Sequence, residues 1–248
     1  MVAMMNVASL LAVALSGMAL ANAISSEQSE PPERPSLTVV TFGVSTTAVR
    51  GQVANYTILL AERLPSVRFI NRGIGGNTTE MARKRFDAQV LAEKPDLTII
   101  QFGINDAAVD LWKTPPATES RVSLTRYEEN LRHFIDEIRK GGGEVILMTP
   151  NQVRWAKYTL EKYGKPPYNP DDEEGFTLVL AHYAEAARKV AAEKKVTLVD
   201  IYLLYGQWEH SSGESCKKLM LDGMHPNHTG HRLVADQLEP LIREKMEK

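Results

Sequence analysis

The sequence predicts an α/β domain on a parallel sheet, doubly wound, with helices covering both faces. Two observations carry that expectation. From residue 37 onward, short apolar runs alternate with amphipathic stretches, and the runs favour β-branched residues. The composition, 43% hydrophobic and 24% charged with ordinary Gly and Pro, is that of a globular chain able to fill a core.

Each element follows from local pattern. Leu37–Phe42 reads as the first strand, stopped at Gly43, and residues 52–64 as a helix closed by Pro65. Val67–Ile70 is the second strand and Thr79–Glu93 the second helix, ending before Pro95; Leu97–Phe102 is the third strand. A capping box, Thr125 with Glu128, opens the next helix. Its Tyr127, Leu131, Phe134, Ile135 and Ile138 share one face, and Gly141-Gly142-Gly143 stops it. Val145–Met148 is a strand, residues 177–194 a helix, Val196–Ile201 a fifth strand and residues 227–246 a last helix. Strands alternating with helices call for parallel pairing with both faces buried.

The ends and the charge bound the function. Residues 1–23 carry no charged side chain, are apolar from Val7 to Leu20 and end Ala21-Asn22-Ala23, a small-x-small site. They read as a signal peptide cut after Ala23, leaving a secreted or periplasmic mature chain in which residues 24–35 are a polar, Pro-rich lead-in and residues 36–248 the folded domain. The apolar stretch is short against the roughly 20 residues of a membrane span. No Cys lies near the cleavage site, which argues against a lipoprotein. A formal charge of -2 offers no footprint for nucleic acid. The one cysteine, Cys216, excludes an internal disulfide framework and a thiolate-rich metal site, and reads as an inert thiol.

In open α/β sheets ligands bind beyond the carboxyl ends of the strands. The first strand is followed by Gly43-Val44-Ser45-Thr46-Thr47, the second by Asn71-Arg72-Gly73-Ile74-Gly75-Gly76-Asn77-Thr78, the third by Gly103-Ile104-Asn105-Asp106. These loops offer a hydroxyl, a Gly-rich backbone and a side-chain amide. A base is supplied by Asp222-Gly223-Met224-His225, where the Asp turns back to meet imidazole Nδ1 and leaves Nε2 for a hydroxyl. Taken singly, Ser45 is a strand-end serine, the glycines serve a turn, and Asn105-Asp106 is a cap.

Together, and in this order, the blocks resemble those of the SGNH (GDSL-type) hydrolase superfamily across residues 40–235. The resemblance implies a flavodoxin-like three-layer α/β/α sandwich with a five-stranded parallel sheet. It implies Ser45 as nucleophile, Asp222 and His225 as its partners, and an oxyanion hole from the N–H groups of Ser45 and Gly76 with the Asn105 amide. It gives no such role to Thr46 or Thr47. One position departs: the usual Gly-Asp-Ser block has Val44 in place of the Asp. That Asp is outside the triad, so two outcomes are open. Either the nucleophile loop is less firmly held, or it has been rebuilt around valine.

His225, His228 and His231 recur at a spacing of three, but Pro226 and Gly230 interrupt them and no Glu-containing zinc motif accompanies them. Neither a metal nor a cofactor is expected. Residues 150–176 form the longest loop, with Trp155, Tyr158, Tyr163 and Tyr168 among charged residues. Trp155 and Tyr158 are the candidate substrate-binding residues on a rim suited to sugar rings. The expected function is a serine esterase that deacetylates O-acetylated carbohydrates, its partner a small-molecule or polysaccharide ester, with no stable membrane insertion and the oligomeric state open. The alternatives are a lysophospholipase, thioesterase or short-chain lipase, and a noncatalytic carbohydrate-binding relic.

Overall fold

The computed structural model describes residues 37–247; the expected signal peptide and lead-in lie outside them. In chain order the elements are β1 (Leu37–Gly43), α1 (Tyr56–Arg63), β2 (Val67–Gly73), α2 (Thr79–Gln89), β3 (Leu97–Gln101), α3 (Ile104–Ala107), α4 (Leu124–Lys140), β4 (Glu144–Met148), α5 (Lys157–Tyr163), α6 (Leu178–Lys194), β5 (Thr197–Val199), α7 (Ile201–Ser212) and α8 (His228–Met246). The sheet is five-stranded in the order β2-β1-β3-β4-β5, and every pairing is parallel. The fold is the flavodoxin-like α/β/α sandwich. Its switch point lies between β1 and β3, where the chain reverses its direction across the sheet.

Register brings the strand ends level. Gly73, Gly43, Gln101, Met148 and Val199 are successive Cα partners across the sheet. The loops after β1, β2 and β3 therefore leave from one row.

Alternate strand residues enter opposite layers, as the two-residue side-chain period requires. Val39, Ile99 and Ile146 pack with Tyr56 and Leu60 of α1, Tyr205 of α7 and Leu238 of α8. Val40, Phe42, Ile100 and Leu147 pack with Phe86 of α2, Phe134 of α4 and Tyr183 of α6. In that second layer Phe42 is the hub of an aromatic cluster, with centroids 5.6 Å from Phe86, 5.1 Å from Phe102 and 5.3 Å from Phe134.

Several boundaries differ from the sequence reading. Helix α1 starts at Tyr56 because Asn55 caps it by accepting from Ile58 N, while Arg50 and Val53 close a small antiparallel bridge. Strand β2 continues to Gly73, drawn out by pairing with the whole of β1. Helix α2 stops at Gln89 and a 3₁₀ turn, Leu91–Glu93, follows it. The cap of α4 is Ser123, which accepts from Arg126 N; Thr125 lies inside the helix. Glu128 leaves the expected box for ion pairs with Arg132 and with Lys189 of α6. Strand β5 is short because Asp200 already caps α7, a helix the sequence pattern did not announce. The long loop holds α5.

Val44 is 1% exposed and belongs to the Phe42 layer. Its backbone carbonyl accepts from Thr47 N and Ala48 N, which closes the turn at Val44 through main chain. The loop is rebuilt around valine. Introducing a carboxylate by Val44→Asp buries an unpaired charge, or a neutral acid, among aromatic rings. The expected outcome in a thermal melt is a Tm lower by roughly 5–10 °C. An unchanged or raised Tm would show instead that the pocket tolerates the acid.

Candidate active site

The turn after β1 presents one hydroxyl and binds the rest. Thr46 Oγ1 donates to Gln101 Oε1 at 3.0 Å, and Thr47 Oγ1 accepts from Tyr56 OH at 3.0 Å. The Thr47 carbonyl accepts from both Asn55 and Asn71 side chains at 2.7 Å. Thr46 and Thr47 are buried, whereas Ser45 is half-buried with its Oγ turned to the other side of the loop cluster.

Opposite Ser45 stands the imidazole of His225. Ser45 Oγ donates to His225 Nε2 at 2.9 Å, although the two residues lie 180 positions apart. His225 Nδ1 faces both Asp222 oxygens, at 2.9 and 2.8 Å. An ionised carboxylate only accepts, so the Nδ1 proton points at Asp222 and Nε2 is left to receive the hydroxyl proton. Burial outweighs the Asp222 charge and holds His225 below its ordinary 6.5, so the ring is neutral at pH 7. Burial pushes Asp222 up, but bonds from the His225 backbone and side chain outweigh it and keep the acid below its usual range.

The Asp222–His225 turn is fixed from the loop after β4. Gly223 has φ +78°, and a Cβ there would lie 2.3 Å from the Arg154 carbonyl. Arg154 N donates to Gly223 O at 2.7 Å, and the Asn151 side chain donates to Met224 O at 3.0 Å. Arg154 itself is fully buried, with its guanidinium on Glu209, Glu174 and Gln152. Those partners and the Val153 carbonyl hold the two terminal nitrogens of the buried cation, while its Nε finds no partner among the described residues.

The Gly-rich loop lies against the serine. A Cβ placed on Gly75 would be 3.8 Å from Ser45 Cβ, and Gly76 is left-handed at φ +75°. Neither the Ser45 nor the Gly76 N–H donates to a protein acceptor among the described residues. Asn105 Nδ2 donates one hydrogen to Asn77 O at 3.0 Å and keeps a second. The neighbouring Asp106 is buried and accepts from Thr79 N at 2.8 Å, Thr79 Oγ1 at 2.5 Å and Gly103 N at 3.2 Å. Burial pushes its pKa up to about 6 against those bonds. Asp106 thereby locks the β3 turn to the start of α2.

The aromatic rim differs from expectation. Trp155 is 7% exposed, stacked on Phe176 at 4.6 Å, with its Nε1 donating to Asn169 O and Asp172 O. It is a core residue: the segment folds back over it, so its ring presents no face. Tyr158 is 61% exposed on α5. The sequence reading missed its companion, Trp112, 48% exposed in the segment that follows Asn105. Lys162 Nζ lies 4.8 Å from the Trp112 ring centroid and 4.5 Å from that of Tyr158. Trp112 Nε1 donates to Tyr163 OH at 3.3 Å. Tyr163 in turn lines a small cavity of about 50 Å³ with Asn105, Arg121, Ile104, Val153, Phe176 and Leu180. A tryptophan among polar residues at a strand's carboxyl end was the available signal. Elsewhere, His231 is buried against Tyr56, and burial pushes its pKa down to about 4. Burial likewise pushes the Cys216 thiol up to about 12.

A hydroxyl, an imidazole and a carboxylate in one hydrogen-bonded line, at the switch point of a doubly wound sheet, define a hydrolase of the serine type. The relatives agree. Residues 36–233 match the model of the GDSL-like Lipase/Acylhydrolase family, and the chain belongs to that family, a carboxylic ester hydrolase. It is 44% identical over 227 residues to a Bacillus subtilis protein named uncharacterized lipoprotein YqeF, covering 81% of this chain and 87% of that one. It is 27% identical over 190 residues to an acetylxylan esterase of Geobacillus stearothermophilus, covering 75% and 77%. Among solved structures, a lipase/acylhydrolase from Enterococcus faecalis superposes with a TM-score of 0.64 at 27% identity, over 84% of this chain and 96% of that one.

Because the neutral imidazole is the form that accepts a proton, kcat/KM for an ester should rise with pH through an apparent pKa below 6.5. A pH–rate profile with its acid limb centred above 6.5 would contradict the burial argument. If Asn105 donates to an oxyanion, as the resemblance implies, Asn105→Ala should lower kcat about 10²- to 10³-fold with KM nearly unchanged, because such a donor acts in the transition state. A pure KM effect would make Asn105 a substrate-binding residue instead.

Proposed function

We propose that the chain is a serine esterase that deacetylates O-acetylated carbohydrates, acting through Ser45. The observation that carries the reading is the continuous line from Ser45 Oγ through His225 to Asp222. His225 Nε2 takes the Ser45 proton as Oγ bonds to the ester carbonyl carbon. The carbonyl oxygen gains negative charge and is held by the N–H groups of Ser45 and Gly76 and the free Asn105 hydrogen. On collapse the C–O bond breaks, and His225 returns the proton to the leaving alcohol. Water, deprotonated by the same imidazole, then splits the acyl-serine and restores the hydroxyl. Asp222 keeps the ring in the productive tautomer and stabilises its charged form.

Support for a sugar substrate comes from the exposed Trp112 ring, hydrogen-bonded to Tyr163 of the cavity wall, from the exposed Tyr158 ring, and from the acetylxylan esterase among the relatives. Aromatic faces pack on the apolar faces of sugar rings, while an acyl-chain enzyme wants a continuous apolar groove. The hydrogen-bonded Ser45–His225–Asp222 line weighs against a noncatalytic relic. We infer further that residues 1–23 direct export and that the chain from residue 24, with its domain at residues 36–248, is secreted or periplasmic. Among the described residues no helix is long and apolar enough to cross a membrane.

The test sets acetylated xylan and 4-nitrophenyl acetate beside longer acyl esters and acyl thioesters, with Ser45→Ala as control. Acetate esters should dominate, Ser45→Ala should remove activity to below a few per cent without a loss of Tm, and a serine-directed phosphonate should label Ser45. A preference for long acyl chains would assign a lipase or lysophospholipase. Labelling at another serine would displace Ser45.

A further inference from the structure

The loops that meet at Ser45 are joined by one guanidinium that belongs to none of them. Arg85, on α2, donates from Nη2 to the Gly43 carbonyl at 3.1 Å, the last residue of β1 before Val44-Ser45. Its Nη1 donates to the Arg72 carbonyl near the end of β2, and to Gln89 Oε1, both at 2.9 Å. Its Nε donates to Asn77 Oδ1 at 2.8 Å, in the residue that follows Gly76. Asn77 passes the connection on, since its carbonyl accepts the Asn105 amide at 3.0 Å. Each of the three groups assigned to the oxyanion hole is thus within two residues of an Arg85 acceptor or hydrogen-bonded to one of those residues.

Two further facts separate this side chain from a surface arginine. It is half-buried with its guanidinium 4.6 Å above the Phe42 ring, at the centre of the aromatic layer that also holds Val44. All four of its acceptors are carbonyl or amide oxygens rather than carboxylates. Burial and the like charge of Arg72 draw its pKa down to about 10, which still leaves it charged at neutral pH. A partly desolvated cation without an acid among its partners is costly to keep. Other arginines of this chain, such as Arg121 on Asp110 and Arg188 on Asp200, take the usual carboxylate partner.

We propose that Arg85 is a positioning residue of the oxyanion hole, setting the Ser45 turn, the Gly76 loop and the Asn105 amide in register and so holding from outside a nucleophile loop that lacks the usual aspartate. The inference rests on the catalytic reading above. The planar fork is what the role requires: it meets four acceptors in fixed directions, whereas a lysine ammonium is a point charge on a flexible stem. Misplacing donors by a fraction of an ångström costs transition-state stabilisation while ground-state binding survives.

The experiment compares Arg85→Lys and Arg85→Met with wild type on 4-nitrophenyl acetate, with active sites counted by phosphonate titration. Each variant is also combined with Asn105→Ala. For Arg85→Lys, kcat per titrated site should fall about 10- to 100-fold with KM within about threefold. Affinity for a boronic acid, whose tetrahedral adduct carries the oxyanion, should fall in proportion to kcat/KM. The acid limb of the pH profile should stay in place, because His225 is untouched. Added to Asn105→Ala, the lysine substitution should cost less than it does alone, since one of the three donors it positions is already gone. Wild-type kcat per titrated site, whatever the change in Tm, would overturn the role and leave Arg85 a stabilising residue. Full additivity with Asn105→Ala would equally overturn it. Where Arg85→Met fails to fold, the lysine variant decides. Failure of the catalytic reading shows separately, as a Ser45→Ala enzyme with wild-type activity.

Discussion

The site depends on a close approach of two backbones. The turn after β1 lies down on the end of β2 so tightly that a Cβ on Gly73 would sit 2.3 Å from Ala48 N. Only glycine permits that distance, and the distance puts the Gly-rich loop beside Ser45. Parallel pairing supplies the rest, because Gly43 is level with Gly73 on one side and Gln101 on the other. The Ser45 loop, the Gly76 loop and the Asn105 turn therefore share one rim without any of them reaching far. Polar side chains then fasten that rim: Asn55 and Asn71 on the Thr47 carbonyl, Gln101 between Thr46 and the Thr149 carbonyl, Asp106 between α2 and the β3 turn.

The other half of the site comes from far along the chain and is held by different means. The Asp222–His225 turn has no strand beneath it. It hangs on the segment after β4, through Arg154 N on Gly223 O and Asn151 on Met224 O. Beside it a fully buried guanidinium pairs through one terminal nitrogen with Glu209, Glu174 and Gln152, so a charge network stands where an aliphatic core would otherwise be. Such networks cost desolvation but tolerate little displacement, which suits a turn that must deliver an imidazole to within 2.9 Å of a hydroxyl.

Much was legible in the sequence because the relevant signals are short. Strand-like runs, glycine stops and the four loop blocks each span only a few residues, and the rule that sheets bind ligands at their carboxyl ends orders them without coordinates. Where the reading failed, a longer-range partner decided. Glu128 lies three residues after Thr125, as a capping box asks, yet Lys189 of α6 takes it and Ser123 caps the helix. Trp155 sits in a polar loop and reads as exposed, but the loop folds over it and Phe176 stacks on its face. Helix α7 was hidden because its start, Asp200, follows β5 with no intervening loop.

By itself the sequence determined the class of fold, the order of its strands along the chain, and which residue types stand at the strand ends, since these are matters of local periodicity and turn chemistry. Only the tertiary structure decided that Ser45 and His225, 180 positions apart, meet in a hydrogen bond. It alone decided that Val44 is sealed in the Phe42 layer and that Arg85 spans the loops at the rim. Those outcomes depend on which distant surfaces are pressed together as the sheet and its two helical layers close. No local pattern carries that information, because the closeness of two side chains in space is a property of packing and not of spacing along the chain.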